Sequence, residues 1–396
     1  MNPSIVINPI LASGGDHGYL YGLFFLILAL IIGAAANHFL QKVPLPFTVV
    51  LMLIGLGLGF AHREGLFGVG GHAGSGHGAG HEGFLSKLLD ALRGSIEWGA
   101  NLDPHLILYV FLPILIFEAA YALDVHVFKK SFWNAFYMAG PGIVSATVMT
   151  GFCIIGIYSF GLGLADWNVP TGNLGLYLAM LFGAVVSATD PVAVVALLKE
   201  LGASKKLGTL IEGESLLNDG TAIVAFLLLI GAVTGLGVFT AFGAVKGFFY
   251  IGLGGAALGI VIGLVGVAWV KRVFNDPLVE TSVMLMTAYL AFYLCEHIFG
   301  MSGVLGLVAL GLVWAGIGRT RISPEVQHFM HEFWEFAAFV ANVIIFIVVG
   351  VVIALKVQPQ PIDYLVLGLV YLAIHLVRMV NIVALYPIMR KTGYGL

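Results

Sequence analysis

Eleven long apolar runs dominate the chain, near 19–40, 46–61, 104–121, 132–160, 174–198, 207–232, 239–270, 278–298, 302–317, 330–355 and 361–389. A helix needs about 20 mainly apolar residues to cross a bilayer, whereas strands of a membrane barrel alternate polar and apolar positions. The runs here are continuous, so the expected fold class is an all-α polytopic membrane protein. Charge points the same way. Only 10% of the 396 residues are Asp, Glu, Lys or Arg, against roughly 25% in soluble domains, too few to clothe a water-facing surface. The net charge of −3 offers no basic field, so nucleic acid is not an expected partner. Cys153 and Cys295 both lie in apolar stretches and read as packing residues rather than a disulfide or zinc site.

No Lys or Arg precedes Lys42. The first span therefore lacks the basic front of a cleaved signal and reads as a retained helix. Residues 1–18 form an extracellular N-terminus on this reading, and 19–396 the transmembrane domain. Eleven crossings then place Lys42, Lys129, Lys130, Lys199, Lys205, Lys206, Lys271, Arg272, Arg319, Arg321, Arg390 and Lys391 inside. Arg63, Lys87, Arg93 and Lys356 fall outside, and Lys246 and Arg378 lie within spans. A bias of 12 to 4 obeys the positive-inside rule only if the run 239–270 is one helix. The C-terminus is then cytoplasmic and the expected location is the plasma membrane. Residues 62–103 read as a Gly/His-rich extracellular loop, with His72, His77 and His81 spaced among glycines; the conformational freedom of those glycines favours a flexible loop over a metal site.

Ionisable groups at membrane depth are costly and tend to mark an ion path or pair with one another. The candidates are Glu118, Asp190, Glu212, Glu214, Asp219, Lys246, Glu280, Glu296 and Arg378. In SATDPVAVV, Pro191 removes a backbone donor and drives Asp190 from the helical region, so Thr189 and Asp190 should mark a break in the fifth span. Unwound backbone between half-helices is how transporters build ion sites. The next span opens IEGESLLNDGTAIVAF. Glu214 and Asn218 are four apart, as are Ser215 and Asp219, which places all four on one side of a helix within about 150°. Hard oxygen ligands for Na+ are then available from Asp190, Asp219, Ser215 and the Thr189 carbonyl. A carboxylate in a partly dry cavity holds either a proton or a cation but not both, so alternate exposure to the two membrane faces exchanges one for the other. Arg378, in LAIHLVRMVNIV, is the guanidinium deep in a span, and Glu214 is its expected partner. Glu118, near the end of its span, is placed either to line an access funnel or to reach the interface, and Glu212 reads as a helix-start carboxylate.

These segments, with FLPILIFEAAYALD (111–124) and FWEFAAFVANVIIFIVVG (333–350), resemble the monovalent cation:proton antiporters, the sodium/proton exchanger family. The wording is similar to plant salt-tolerance and sperm-specific exchangers. The resemblance implies an antiporter fold of inverted repeats with broken crossing helices, about eleven of thirteen expected spans being present here. It further implies a homodimer in the lipid bilayer and an ion site at Asp219 and Asp190 with Asn218, Ser215 and Thr189. The Glu214–Arg378 pair is structural on this reading. The Asn-Asp pair at 218 and 219 resembles the electroneutral exchangers, so one Na+ for one H+ is expected, with K+ or Li+ as other possible cargo and no cofactor. A GGLRGA-type second broken helix is expected after the arginine span and is not met before KTGYGL, which raises the reading of a non-transporting fragment. Other classes on the same residues are a cation or proton channel and an intramembrane aspartyl protease; the latter lacks its GxGD context.

Overall fold

The computed structural model of the chain describes residues 18–40, 45–67, 84–159, 172–189, 191, 194–195, 198, 202, 205–235, 241–273, 276–322 and 324–391. Among them, all regular structure is helical. The helices are α1 (Gly18–Phe39), α2 (Phe47–Arg63), α3 (Phe84–Ala100), α4 (Pro104–Ala122), α5 (Val125–Ser159), α6 (Asn173–Ser187), α7 (Lys205–Val233), α8 (Ala241–Val270), α9 (Pro277–Ile298), α10 (Gly303–Gly316), α11 (Pro324–Lys356) and α12 (Pro361–Lys391). Every apolar run read from the sequence carries one of these helices. Nine of the described helices are long and apolar enough to cross a membrane, with α2 and α6 shorter but apolar. Within the run 239–270, Ala241–Val270 is a single helix of 30 residues.

Local chemistry sets several boundaries. Asp124 accepts from the backbone N–H groups of His126 and Val127 at 3.2 and 3.3 Å and starts α5 seven residues before its apolar run. Asp276 caps α9 in the same way ahead of Pro277, whose missing N–H costs nothing at a helix start. Ser302 caps α10, and Glu296 adds its carboxylate to the Gly303 N–H at 3.0 Å. Glu296 thus serves a helix start. Glu212 does not: α7 begins at Lys205, so Glu212 lies about two turns inside the helix, beyond the reach of the terminal dipole. The segment 62–103 is also not wholly loop. Its 84–100 portion is the amphipathic helix α3, while the histidines 72, 77 and 81 lie outside the described residues.

The chain divides into two compact units. One comprises residues up to 108 with 337–358. In it, α1 lies along α3, with Gly22 against the Trp98 ring and Gly99 against Phe25. The α2 helix meets the later part of α11 closely enough that a Cβ on Gly55 would strike the Ile347 carbonyl, and one on Gly350 the Met52 carbonyl. Small residues that let backbones approach are the usual basis of helix association in lipid. The other unit comprises 109–336 with 359–396. Its core is built on Phe117, Tyr121, Met284, Leu307, Trp314 and Trp334, all essentially inaccessible. There α5 and α6 pack so closely that Gly183 sits on the Thr147 carbonyl.

Candidate functional site

All the described site residues belong to the second unit. The α6 helix ends at Ser187, and Ala188 is extended, with ψ 135°. Among the described residues, the next helical bond runs from the Val195 N–H to the Pro191 carbonyl at 2.8 Å. The backbone is therefore interrupted across Ala188 and Thr189, as the proline in TDP dictates. Asp190 itself lies outside the described residues, and with it half of the expected Asp190–Asp219 site.

The interruption is bonded to α7. Ser215 donates to the Thr189 carbonyl at 2.6 Å. The Asn218 amide donates to the Ser187 carbonyl and to Thr189 Oγ1, each at 3.3 Å. An oxygen facing the Ser187 carbonyl would repel it, so these contacts orient the amide. That leaves Asn218 Oδ1 buried without a donor among the described residues, in a side chain only 1% exposed. Such an orphan acceptor is costly unless a water or cation meets it. Asp219 follows on the same helix and is half-buried.

Two further contacts frame this site. Arg378 Nη2 of α12 stands 3.5 Å from Glu214 Oε1, the arginine side chain 40% exposed and the glutamate 15%. Thr221 of α7 donates to the Ala139 carbonyl of α5 at 2.6 Å. Glu214, Asn218 and Thr221 fall within about 60° on α7, so they form one polar stripe. The structure therefore brings Thr189, Ser215 and Asn218 together and sets Glu214 against Arg378. Glu118 is half-buried on α4 and faces the like charges of Glu335 and Glu212. Glu280 lies in the first turn of α9, buried. Thr221 was not singled out by sequence, although its position three residues after Asn218 in an apolar helix was a usable signal.

An interrupted helix end gripped by polar side chains of its neighbour, within a polytopic helical protein, is the arrangement from which membrane transporters build ion sites. The comparisons with known proteins agree. The family profile described as "Sodium/hydrogen exchanger, transmembrane" matches residues 26–396. Sodium/hydrogen exchanger 7 of Arabidopsis thaliana is 37% identical over 380 residues, covering 94% of this chain and 30% of that protein. Low-affinity Na(+)/H(+) antiporter NhaS1 of Synechocystis sp. is 38% identical over 294 residues, covering 74% of this chain and 52% of that protein. The solved structure of the sodium proton antiporter MjNhaP1 from Methanocaldococcus jannaschii matches with a TM-score of 0.69 at 18% identity, over 92% of this chain and 79% of that one. The chain belongs to the sodium/hydrogen exchanger family and is a multi-pass membrane protein. It spans about a third to a half of the length of several of the relatives it matches.

Proposed function

We propose that the protein is an electroneutral sodium/proton antiporter in which Asp219 carries either one Na+ or one H+ across by alternating access. The observation that supports this most is the interrupted end of α6, held by Ser215 and Asn218, beside an orphaned Asn218 oxygen. Backbone and amide oxygens suit a small hard cation, and the carboxylate supplies the charge for which cation and proton compete. Asp190, Thr189, Ser215 and Asn218 complete the ligand set on this reading. Glu214 and Arg378 form an ion pair that fixes α7 and α12 and carries no proton, since an arginine stays charged throughout. The Asn-Asp pair leaves one exchanging acid on α7, which suits one-for-one stoichiometry. We assign the protein to the plasma membrane as a homodimer, with the N-terminus outside and the C-terminus cytoplasmic.

The deciding experiment uses the full-length protein in proteoliposomes. An outward Na+ gradient should drive H+ inward at a rate indifferent to an imposed membrane potential. Asp219→Asn should abolish it. Unchanged exchange in that variant rejects the assignment, and current without an opposing ion would favour a channel.

A further inference from the structure

The α5 helix is interrupted by a π-helical turn, Met138–Gly142, of sequence MAGPG. Pro141 brings no N–H to it, and the widened turn departs from regular helical bonding. Two helices of the site bond to carbonyls of this turn. Thr221 of α7 bonds the Ala139 carbonyl, and the Asn381 amide of α12 bonds the Gly142 carbonyl at 3.0 Å. The Ser145 hydroxyl, on the next turn of α5, lies 3.0 Å from the same Gly142 carbonyl and 2.7 Å from Asn381 Oδ1, and donates to the nearer of the two. Both ends of the Asn381 amide are thus engaged, and its side chain is buried. The tip of Leu385, one turn further along α12, lies against Gly142.

Spacing ties this clamp to the ion pair. Arg378 and Asn381 are three apart on α12, about 60° around the helix, and Glu214 and Thr221 are seven apart on α7, about 20°. A single five-residue turn therefore sets the register of both helices that bear the Glu214–Arg378 contact. We infer that Asn381, locked by Ser145 and the Gly142 carbonyl, is a positioning residue that sets the approach of Arg378 to Glu214 and, through α7, the cation affinity of the Asp219 site. The last clause rests on the antiport reading; the control of the Glu214–Arg378 contact does not. An apolar residue of similar size would fill the same space, so packing alone does not call for an amide here. What the amide adds is a fixed depth and rotation of α12 against α5.

Two measurements on the full-length protein test this. In proteoliposomes, Asn381→Leu should raise the apparent KM for Na+ roughly five- to tenfold, the scale of one or two hydrogen bonds at membrane depth, with maximal rate within about twofold of the parent. Ser145→Ala, which spares the bond from Asn381 to the Gly142 carbonyl, should give a smaller rise, and Asn381→Gln should recover part of the loss. An unchanged KM in both Asn381→Leu and Ser145→Ala overturns the effect on affinity. In detergent, a thermal cycle of Asn381→Leu with Glu214→Gln should show a combined loss smaller than the sum of the two, because the first change already loosens the ion pair. Independent, additive losses overturn the positioning role. Ser145→Ala takes the place of Asn381→Leu in the cycle if that variant does not fold. Should the parent protein exchange no ions at all, the antiport reading falls and the thermal cycle alone judges the clamp.

Discussion

At the scale of single residues, the site is made of short polar side chains answering backbone oxygens that a broken helix exposes. Thr189 presents two oxygens to α7 and they can be separated by mutation. Thr189→Val removes Oγ1, one of two acceptors for the Asn218 amide, and keeps the carbonyl bonded to Ser215. Its apparent KM for Na+ should rise by about twofold, whereas Ser215→Ala, which removes the 2.6 Å bond, should cost about fivefold, the equivalent of roughly 1 kcal/mol. Sodium-concentration curves of proton uptake distinguish the two; equal effects would mean that the carbonyl is not held by Ser215. The residues of α7 were legible in the sequence because helical spacing alone puts Glu214, Ser215, Asn218 and Asp219 on one side. Their partners were less so. The Ser187 carbonyl enters through a stretch with no regular period, and the bonds of Thr221 and Asn381 join helices distant in sequence. Glu212 was misread as a helix-start carboxylate because the polar motif IEGES resembles the opening of a span, whereas α7 begins seven residues before Glu212, at Lys205.

At the scale of helices, hydrophobic length predicted the number and order of elements well, since each run that must satisfy its backbone away from water does so as a helix. The break in α6 was also visible, because proline after an acid leaves little choice. The α3 helix was not. Phe84, Leu88, Leu92 and Ile96 recur at helical spacing, but polar residues between them kept the segment below the hydropathy of a span and glycine-rich sequence precedes it. Where helices press on one another the constraint is geometric. A methyl group at Gly183 would meet the Thr147 carbonyl, and backbone cannot yield as a side chain can. Gly183→Ala should therefore push α6 from α5, lower the melting temperature by several degrees, a loss on the order of 1–3 kcal/mol from overpacking, and weaken Na+ dependence, because residues 187–189 move with α6. A variant as stable as the parent would show that the two helices are less closely seated.

At the scale of the molecule, the proposed exchange has a pH signature that follows from competition. If Na+ and H+ share one carboxylate, protons reduce the fraction free to bind Na+ only below that group's pKa. The apparent Na+ affinity should then fall about tenfold for each pH unit on the acid side and level off on the alkaline side. Titrating Na+ into the purified full-length protein in weak buffer should correspondingly release protons, and a titration without release would remove the basis for coupling. The bond from Ser215 to a main-chain oxygen carries one more consequence. Every amino acid brings the same oxygen to position 189, so the docking of α7 on the break depends on the path of the chain rather than on which side chain a codon supplies. A substitution at position 189 can keep the Ser215 bond, while a change at Pro191 that lets the strand of peptide units rewind would take that oxygen away without altering a single polar side chain.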